Sequence, residues 1–217
     1  MSQPVATDRL TTLAELEALY GVPALRSVIK ETGRITPEYR ALIEASPFVA
    51  LASAGPEGLD CSPRGDAAPV LVVLDDVTLL LPDRPGNNRI DTLRNIVRDP
   101  RVALLCLIPG VGETIRVNGR AGISVAPDLL ARCVAGGKPP LCVVVIHVES
   151  VYFQCARAVV RAGLWDASRQ VARASLPSAG DIIKATTLEA CPRHDAEPFD
   201  AAAYDAELPS RIDRTLY

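Results

Sequence analysis

The chain has 217 residues, 48% of them hydrophobic, enough for one domain with its own core plus appendages and no need of disulfide or metal staples. A net charge of −3 and a pI near 5.5 leave no overall basic field, which argues against nucleic acid or an anionic membrane as main partner, so any anion must be held locally. The longest apolar runs, such as Leu141 to Val148, stop after about eight residues, short of the roughly 18 to 20 that a spanning helix needs, so no membrane segment is expected.

The first 20 residues carry acidic side chains at helical spacing in place of a basic stretch followed by an apolar one, which predicts no secretory leader and a cytoplasmic location. Thr12 to Tyr20 reads as a helix with a Thr-x-x-Glu capping box at Thr12 and Glu15, ending at Gly21. Pro23 opens a second helix, and a third starts with Thr36 as N-cap and Pro37 at its first position. Residues 1–46 are expected to form a helical arm.

From Phe48 the period changes. Short β-branched and apolar runs alternate with Gly, Pro, Asp and Asn clusters, and six strands are predicted: Phe48 to Ala54, Val70 to Leu74, Val77 to Pro82, Val102 to Pro109, Thr114 to Ile123 and Leu141 to Gln154. Two helices interrupt them, Arg89 to Asp99 and Pro127 to Ala135. Short strands with tight turns favour a mainly β, α+β domain built on an antiparallel barrel over a doubly wound sheet, which needs a helix between each pair. The barrel domain is expected over 47–163. A C-terminal extension follows over 164–217, with short helices at Ala167 to Ala174, Asp181 to Thr186 and Ala201 to Leu208.

Six cysteines (Cys61, Cys106, Cys133, Cys142, Cys155, Cys191) form no C-x-x-C pair, and the two histidines, His147 and His194, lie far apart, so no metal site is expected. Cysteines inside apolar runs behave as small hydrophobes.

Two segments can carry chemistry. Pro82-Asp83-Arg84-Pro85-Gly86-Asn87-Asn88-Arg89 joins an apolar strand to an amphipathic helix. Gly86 permits close backbone approach, Asn87 or Asn88 suits the N-cap, and the first helical turn offers free N–H groups. Arg84 and Arg89 add guanidiniums whose donor forks match phosphate oxygens. Taken alone, the segment is also explained by Asn88 and Asp91 capping the helix with both arginines in solvent. The second segment, Asp60 to Pro69, holds Ser62, Arg64, Gly65 and Asp66 beside a strand edge whose amide groups can bond a planar heterocycle. Its plainer reading is an edge loop with a surface ion pair between Arg64 and Asp66.

Together these segments resemble those of a known family. Residues 46 to 165 are similar to the FMN-binding split barrel of pyridoxamine 5'-phosphate oxidase-like proteins. The likeness is greatest to a bacterial subgroup described as FMN-dependent enzymes, in which Ser62-Pro63-Arg64-Gly65-Asp66, Pro82 to Arg89, Pro109-Gly110-Val111-Gly112-Glu113-Thr114 and Val117-Asn118-Gly119-Arg120-Ala121 recur in this order. Leu164-Trp165-Asp166 and the final Leu216-Tyr217 look like that subgroup too. The resemblance implies a six-stranded split β-barrel and a homodimer with FMN at its interface. It assigns Ser62, Arg64, Gly65 and Asp66 to the ring or ribityl region, and Asn87, Asn88 and Arg89 to the phosphate end; Arg84 is a cofactor-binding candidate from the reading of the loop itself. Gly-Asn-Asn-Arg replaces the Ser-Arg-Lys type of phosphate loop, and the arginine- and tryptophan-bearing substrate segment of the oxidase has no clear counterpart, which puts vitamin B6 oxidation in doubt.

Three functions follow from the resemblance: an FMN-dependent oxidoreductase acting on a small-molecule substrate, a non-catalytic protein that binds or senses flavin or haem, and a reductase using the deazaflavin F420. No side chain stands out as catalytic. Gly110-Val-Gly112-Glu-Thr114 lacks the third glycine and following helix of a dinucleotide fingerprint and reads as a hairpin loop. His147 and Glu149 share one face of an alternating strand, as an acid/base pair or, in the preferred reading, its polar side. Trp165 reads as packing, and Cys155 has no basic neighbour but Arg157.

Overall fold

A computed structural model of the chain describes residues 9–67, 69–190 and 199–216. Ala68, Cys191, His194 and Tyr217, which entered the sequence reading, lie outside them.

The N-terminal arm begins with α1 (Leu13–Tyr20), closed by the expected capping box: Glu15 N donates to Thr12 Oγ1 and the Glu15 carboxylate accepts from Thr12 N. The short α2 (Leu25–Val28) follows, and neither helix buries a residue. In α3 (Pro37–Glu44), Thr36 caps the first turn ahead of Pro37. This helix belongs to the core, because Tyr39 and Ile43 pack with Ile35 inside the barrel and the Tyr39 hydroxyl donates to Lys30 O at 2.6 Å.

The barrel is one antiparallel sheet of seven strands: β1 (Phe48–Gly55), β2 (Gly58–Gly65), β3 (Val72–Val73), β4 (Thr78–Asp83), β5 (Arg101–Leu107), β6 (Thr114–Ser124) and β7 (Cys142–Gln154), in the order β2-β1-β5-β6-β7-β4-β3. All six expected strands are present, with Val70 to Leu74 reduced to two residues. The seventh, β2, comes from the stretch read as turn and edge. It pairs with β1 from Gly55↔Gly58 to Phe48↔Gly65. Gly58, Pro63 and Gly65 are tolerated there because β2 is an edge strand, with a partner on one side.

Alternation sets the core. Val49 and Leu51 of β1, Val102, Leu104 and Cys106 of β5, and Ile115 and Val117 of β6 point inward. In β7 the inward parity shifts from Ile146 and Val148 to Val151, because Asn118 pairs with Ser150 and Gly119 with Val148, leaving Glu149 as the extra residue of a bulge. His147 and Glu149 are both exposed, as the preferred reading of that face expects. Two helices cover the barrel. Ile96 of α4 (Asp91–Arg98) reaches the core on the β1 side, and α5 (Pro127–Arg132) lays Leu129 and Leu130 over Leu80, Val143 and Cys133. Cys106 is sealed in the core, where burial pushes its thiol up to about 12, and Cys133 and Cys142 are also buried and free.

Beyond β7 lie α6 (Arg157–Ala162), two single 3₁₀ turns, α7 (Ala179–Ala190) and α8 (Ala201–Thr215). Trp165 packs on the β5–β6 turn, donating from Nε1 to Val111 O at 2.7 Å, and that turn is the hairpin loop expected at Gly110 to Thr114. No helix among the described residues is long and apolar enough to cross a membrane.

Gly119 occupies the bulge because a side chain cannot: a Cβ there would sit 2.1 Å from the His147 carbonyl oxygen and 3.3 Å from Val148 Cα, both backbone atoms. Gly119→Ala is therefore expected to cost about 1–3 kcal/mol by overpacking, read as a lower urea midpoint with an unchanged slope.

Candidate functional site

The sheet does not close on itself by hydrogen bonds. Its edges are β2 and the two-residue β3, and among the described residues β3 pairs only with Leu79 and Leu80, so Leu81 to Asp83 at the end of β4 have no described strand on that side. Side chains bridge the gap between the ends of β2 and β4. Arg64 Nη2 lies 3.5 Å from Asp83 Oδ1. Just beyond both strands, Arg84 donates from Nε and Nη2 to Asp66 Oδ2, at 2.9 and 2.6 Å. This second pair is well buried, with Arg84 14% and Asp66 4% exposed. The pairing is crossed relative to the surface Arg64–Asp66 pair considered from the sequence, because Arg64 and Asp66 each find their partner on β4 or the loop after it.

At this seam opens a cavity of about 680 Å³, within the usual range for small-molecule sites. Its lining includes Arg64, Gly65 and Asp66 from one segment and Arg84, Asn87, Asn88 and Arg89 from the other. Two stretches 20 residues apart in the chain, singled out separately, thus meet around one space. Ser62 does not line it. Ser62 Oγ instead accepts from Arg64 Nη1 at 2.5 Å and donates to Thr92 Oγ1 at 3.1 Å, the Thr92 hydroxyl proton being given to the Asp60 carboxylate, so it orients Arg64 and ties β2 to α4.

The strand-to-helix loop corrects the expected capping. Helix α4 starts at Asp91, with Ile90 as N-cap and no side-chain cap bond, so neither Asn87 nor Asn88 caps it. Asn88 adopts a left-handed conformation, φ 59°, one that asparagine tolerates well among side-chain-bearing residues. Asn87 Oδ1 accepts from Arg89 N at 3.0 Å, an Asx turn that shapes the loop. The uncapped first turn keeps its N–H groups available, and Gly86 borders open space. Arg89 is 80% exposed at the cavity rim and pairs with Asp91, which holds the Asp91 carboxyl below its usual range.

Asp83 is a lining residue that the sequence reading quoted without assigning a role. Its side chain is 17% exposed, and burial pushes its carboxyl up although Arg64 pulls the other way. The seam therefore presents donors (Arg64, Arg84) and acceptors (Asp66, Asp83) side by side. That set suits the edge of a planar heterocycle carrying alternating N–H and C=O groups, and the loop with Arg89 suits an anionic group at the rim. The residues present thus fit a flavin mononucleotide. A second contribution comes from the end of α8, where Ile212, Thr215 and Leu216 line the same cavity from more than 120 residues further along the chain; of these the sequence marked only Leu216, through its likeness to the subgroup, and gave it no place in the site.

Residues 35–155 match the family model described as pyridoxamine 5'-phosphate oxidase, and the chain belongs to that family. Similar solved structures include HupZ of Group A Streptococcus (20% identity, 56% of this chain and 94% of that one, TM-score 0.46). Others are a candidate pyridoxamine 5'-phosphate oxidase of Lactobacillus delbrueckii (25%, 56% and 95%, 0.43) and an FMN-binding protein of Syntrophomonas wolfei (14%, 52% and 82%, 0.42). A search of curated proteins finds no match.

The seam pairs predict two stability effects. Asp66→Asn leaves Arg84 buried beside a neutral amide and is expected to cost about 3–5 kcal/mol, much of it recovered in an Asp66→Leu/Arg84→Met double variant, as urea unfolding of the three chains will show. Asp83 acts in the opposite sense. Its pKa is raised by folding, so the folded chain binds that proton more tightly, and stability falls as pH rises from the ordinary carboxylate value through the raised one. Asp83→Asn is expected to be at least as stable as the parent at pH 7, with the difference shrinking in acid. A loss of stability at pH 7 that persists unchanged in acid would contradict this.

Proposed function

We propose that this chain binds FMN in the seam cavity and works as an oxidoreductase on a small molecule, as a homodimer in the cytoplasm. The observation that carries the reading is the convergence of Arg64, Gly65 and Asp66 with Arg84, Asn87, Asn88 and Arg89 on one cavity of ligand size. In this assignment Arg89, the Asn87-Asn88 backbone and the open first turn of α4 hold the phosphate. Arg64, Asp66, Asp83 and Arg84 meet the polar edge of the ring, and Ser62 keeps Arg64 in place. Bound flavin supplies hydride exchange with a substrate, while the protein contributes orientation, anchorage and a partly enclosed site.

The charge balance favours a single phosphate over the longer anionic tail of F420, because Arg64, Arg84 and Arg89 each already face a carboxylate. Support for a second copy comes from the arm, where Leu13, Leu19, Tyr20, Val22 and Leu25 are all strongly exposed on a segment that buries nothing in its own chain. Free cysteines at every described position agree with a reducing compartment.

The purified protein is expected to show, or to acquire on adding FMN, a two-banded flavin absorption spectrum, with FMN identified by mass after denaturation. A colourless protein that ignores FMN ends the flavin reading. Bound flavin that no electron donor reduces would leave binding without turnover. Arg89→Ala is expected to weaken FMN binding measurably in a fluorescence titration, and unchanged affinity removes Arg89 from the phosphate site.

A further inference from the structure

We infer that the last turn of α8 is the apolar wall of the ligand cavity, with Ile212 and Leu216 contacting the ring face of the bound flavin. The inference rests on the flavin reading for the ligand's identity, and on geometry for the wall.

The cavity is two-sided. Its floor is the charged seam of Arg64, Asp66, Asp83 and Arg84. Its other lining is apolar and wet: Ile90 is 44% exposed, Leu141 65%, Ile212 51% and Leu216 59%. Apolar side chains gathered round one opening and left in water are stabilised by whatever covers them. A ligand with a hydrogen-bonding edge and a broad apolar face matches both sides, and an isoalloxazine ring has that shape.

The helix is built to present this wall. Positions 212, 215 and 216 share one face by their spacing of three and four residues. Its root is fixed on α7: Asp205 Oδ1 accepts from Gly180 N at 2.8 Å, and the helices approach so closely that a Cβ on Gly180 would lie 2.4 Å from the Ala201 carbonyl oxygen. Asp200 caps the first turn by accepting from Ala203 N. Between root and wall stands Pro209, which lacks the N–H that would bond the Asp205 carbonyl. The helix continues through Pro209 to Thr215, and its last turn lines the seam cavity.

Two full-length variants test the wall. Ile212→Glu/Leu216→Glu puts charge against the apolar lining, and Gly180→Ala displaces the root without altering the wall residues. Hydrogen exchange of the ligand-free chains is read at residues 86–93, and FMN affinity and iodide quenching of flavin fluorescence are read in parallel. Faster exchange at 86–93 in both variants is expected, together with FMN binding weaker by about tenfold, about 1.4 kcal/mol, and flavin more open to iodide. Exchange at 86–93 equal to that of the parent overturns the wall whether or not FMN binds. Altered exchange in a protein whose parent chain refuses FMN keeps the wall and discards the flavin. FMN affinity and quenching unchanged in both variants, in a parent that does bind FMN, overturn the ring contact.

Discussion

The site depends on a sheet that stops short of closing. Seven strands in the order β2-β1-β5-β6-β7-β4-β3 leave β2 and the end of β4 facing each other without a ladder between them, and an open edge in a barrel must be satisfied by something. Here two Arg–Asp pairs span the gap, one at 3.5 Å and one doubly bonded and well buried. Such pairs return little net stability, since desolvation consumes most of the Coulombic gain, but removing one partner of the well-buried Arg84–Asp66 pair is costly. They therefore act less as a source of stability than as a constraint on where the two strand ends sit. That constraint brings the Ser-Pro-Arg-Gly-Asp segment and the strand-to-helix loop to opposite sides of one cavity.

The same pairs shape what the cavity can bind. Arg64 and Arg84 are neutralised across the seam, so the floor is rich in directional donors and acceptors yet modest in net charge. Such a surface discriminates by hydrogen-bond pattern more than by attraction, because a ligand without matching groups strands buried polar atoms. The cation best placed for an anion is Arg89, at the rim, where water screens it and Asp91 competes for it. Recognition divides accordingly: pattern at the floor, charge at the mouth. Ser62 supports the floor from outside the cavity, since its hydroxyl fixes Arg64 while its other contact, Thr92, belongs to the helix that starts beside the Arg89 loop.

Much of this was legible in the sequence, for reasons that differ by residue. Strands β1, β5, β6 and β7 announced themselves because each has one inward face, so apolar side chains alternate. Strand β2 was hidden because this edge strand carries Gly, Pro and charge, the composition of a loop. The convergence of residues 62–66 with 84–89 was reached through likeness to a family, and local pattern alone left both segments with plainer readings. The crossed ion pairs were out of reach, since register across an unladdered seam leaves no periodic trace. Asn87 and Asn88 misled as caps because asparagine also suits Asx turns and left-handed backbone, the two uses this loop makes of it.

The cavity lining is held in two different ways. The family match ends at residue 155, so it spans the barrel, both seam pairs and the loop with Arg89, and it stops before α8. A seam held by paired charges has little freedom to vary: changing Asp66 or Arg84 alone breaks the positions of both segments. A helix that touches the site through three residues of its last turn, and is rooted elsewhere on α7, has no such burden. Its side chains can change without cost to the core, since none of α8 is buried in it. The end of α8 is thus the most freely adjusted part of the cavity lining, whereas the floor is bound to the geometry of the seam.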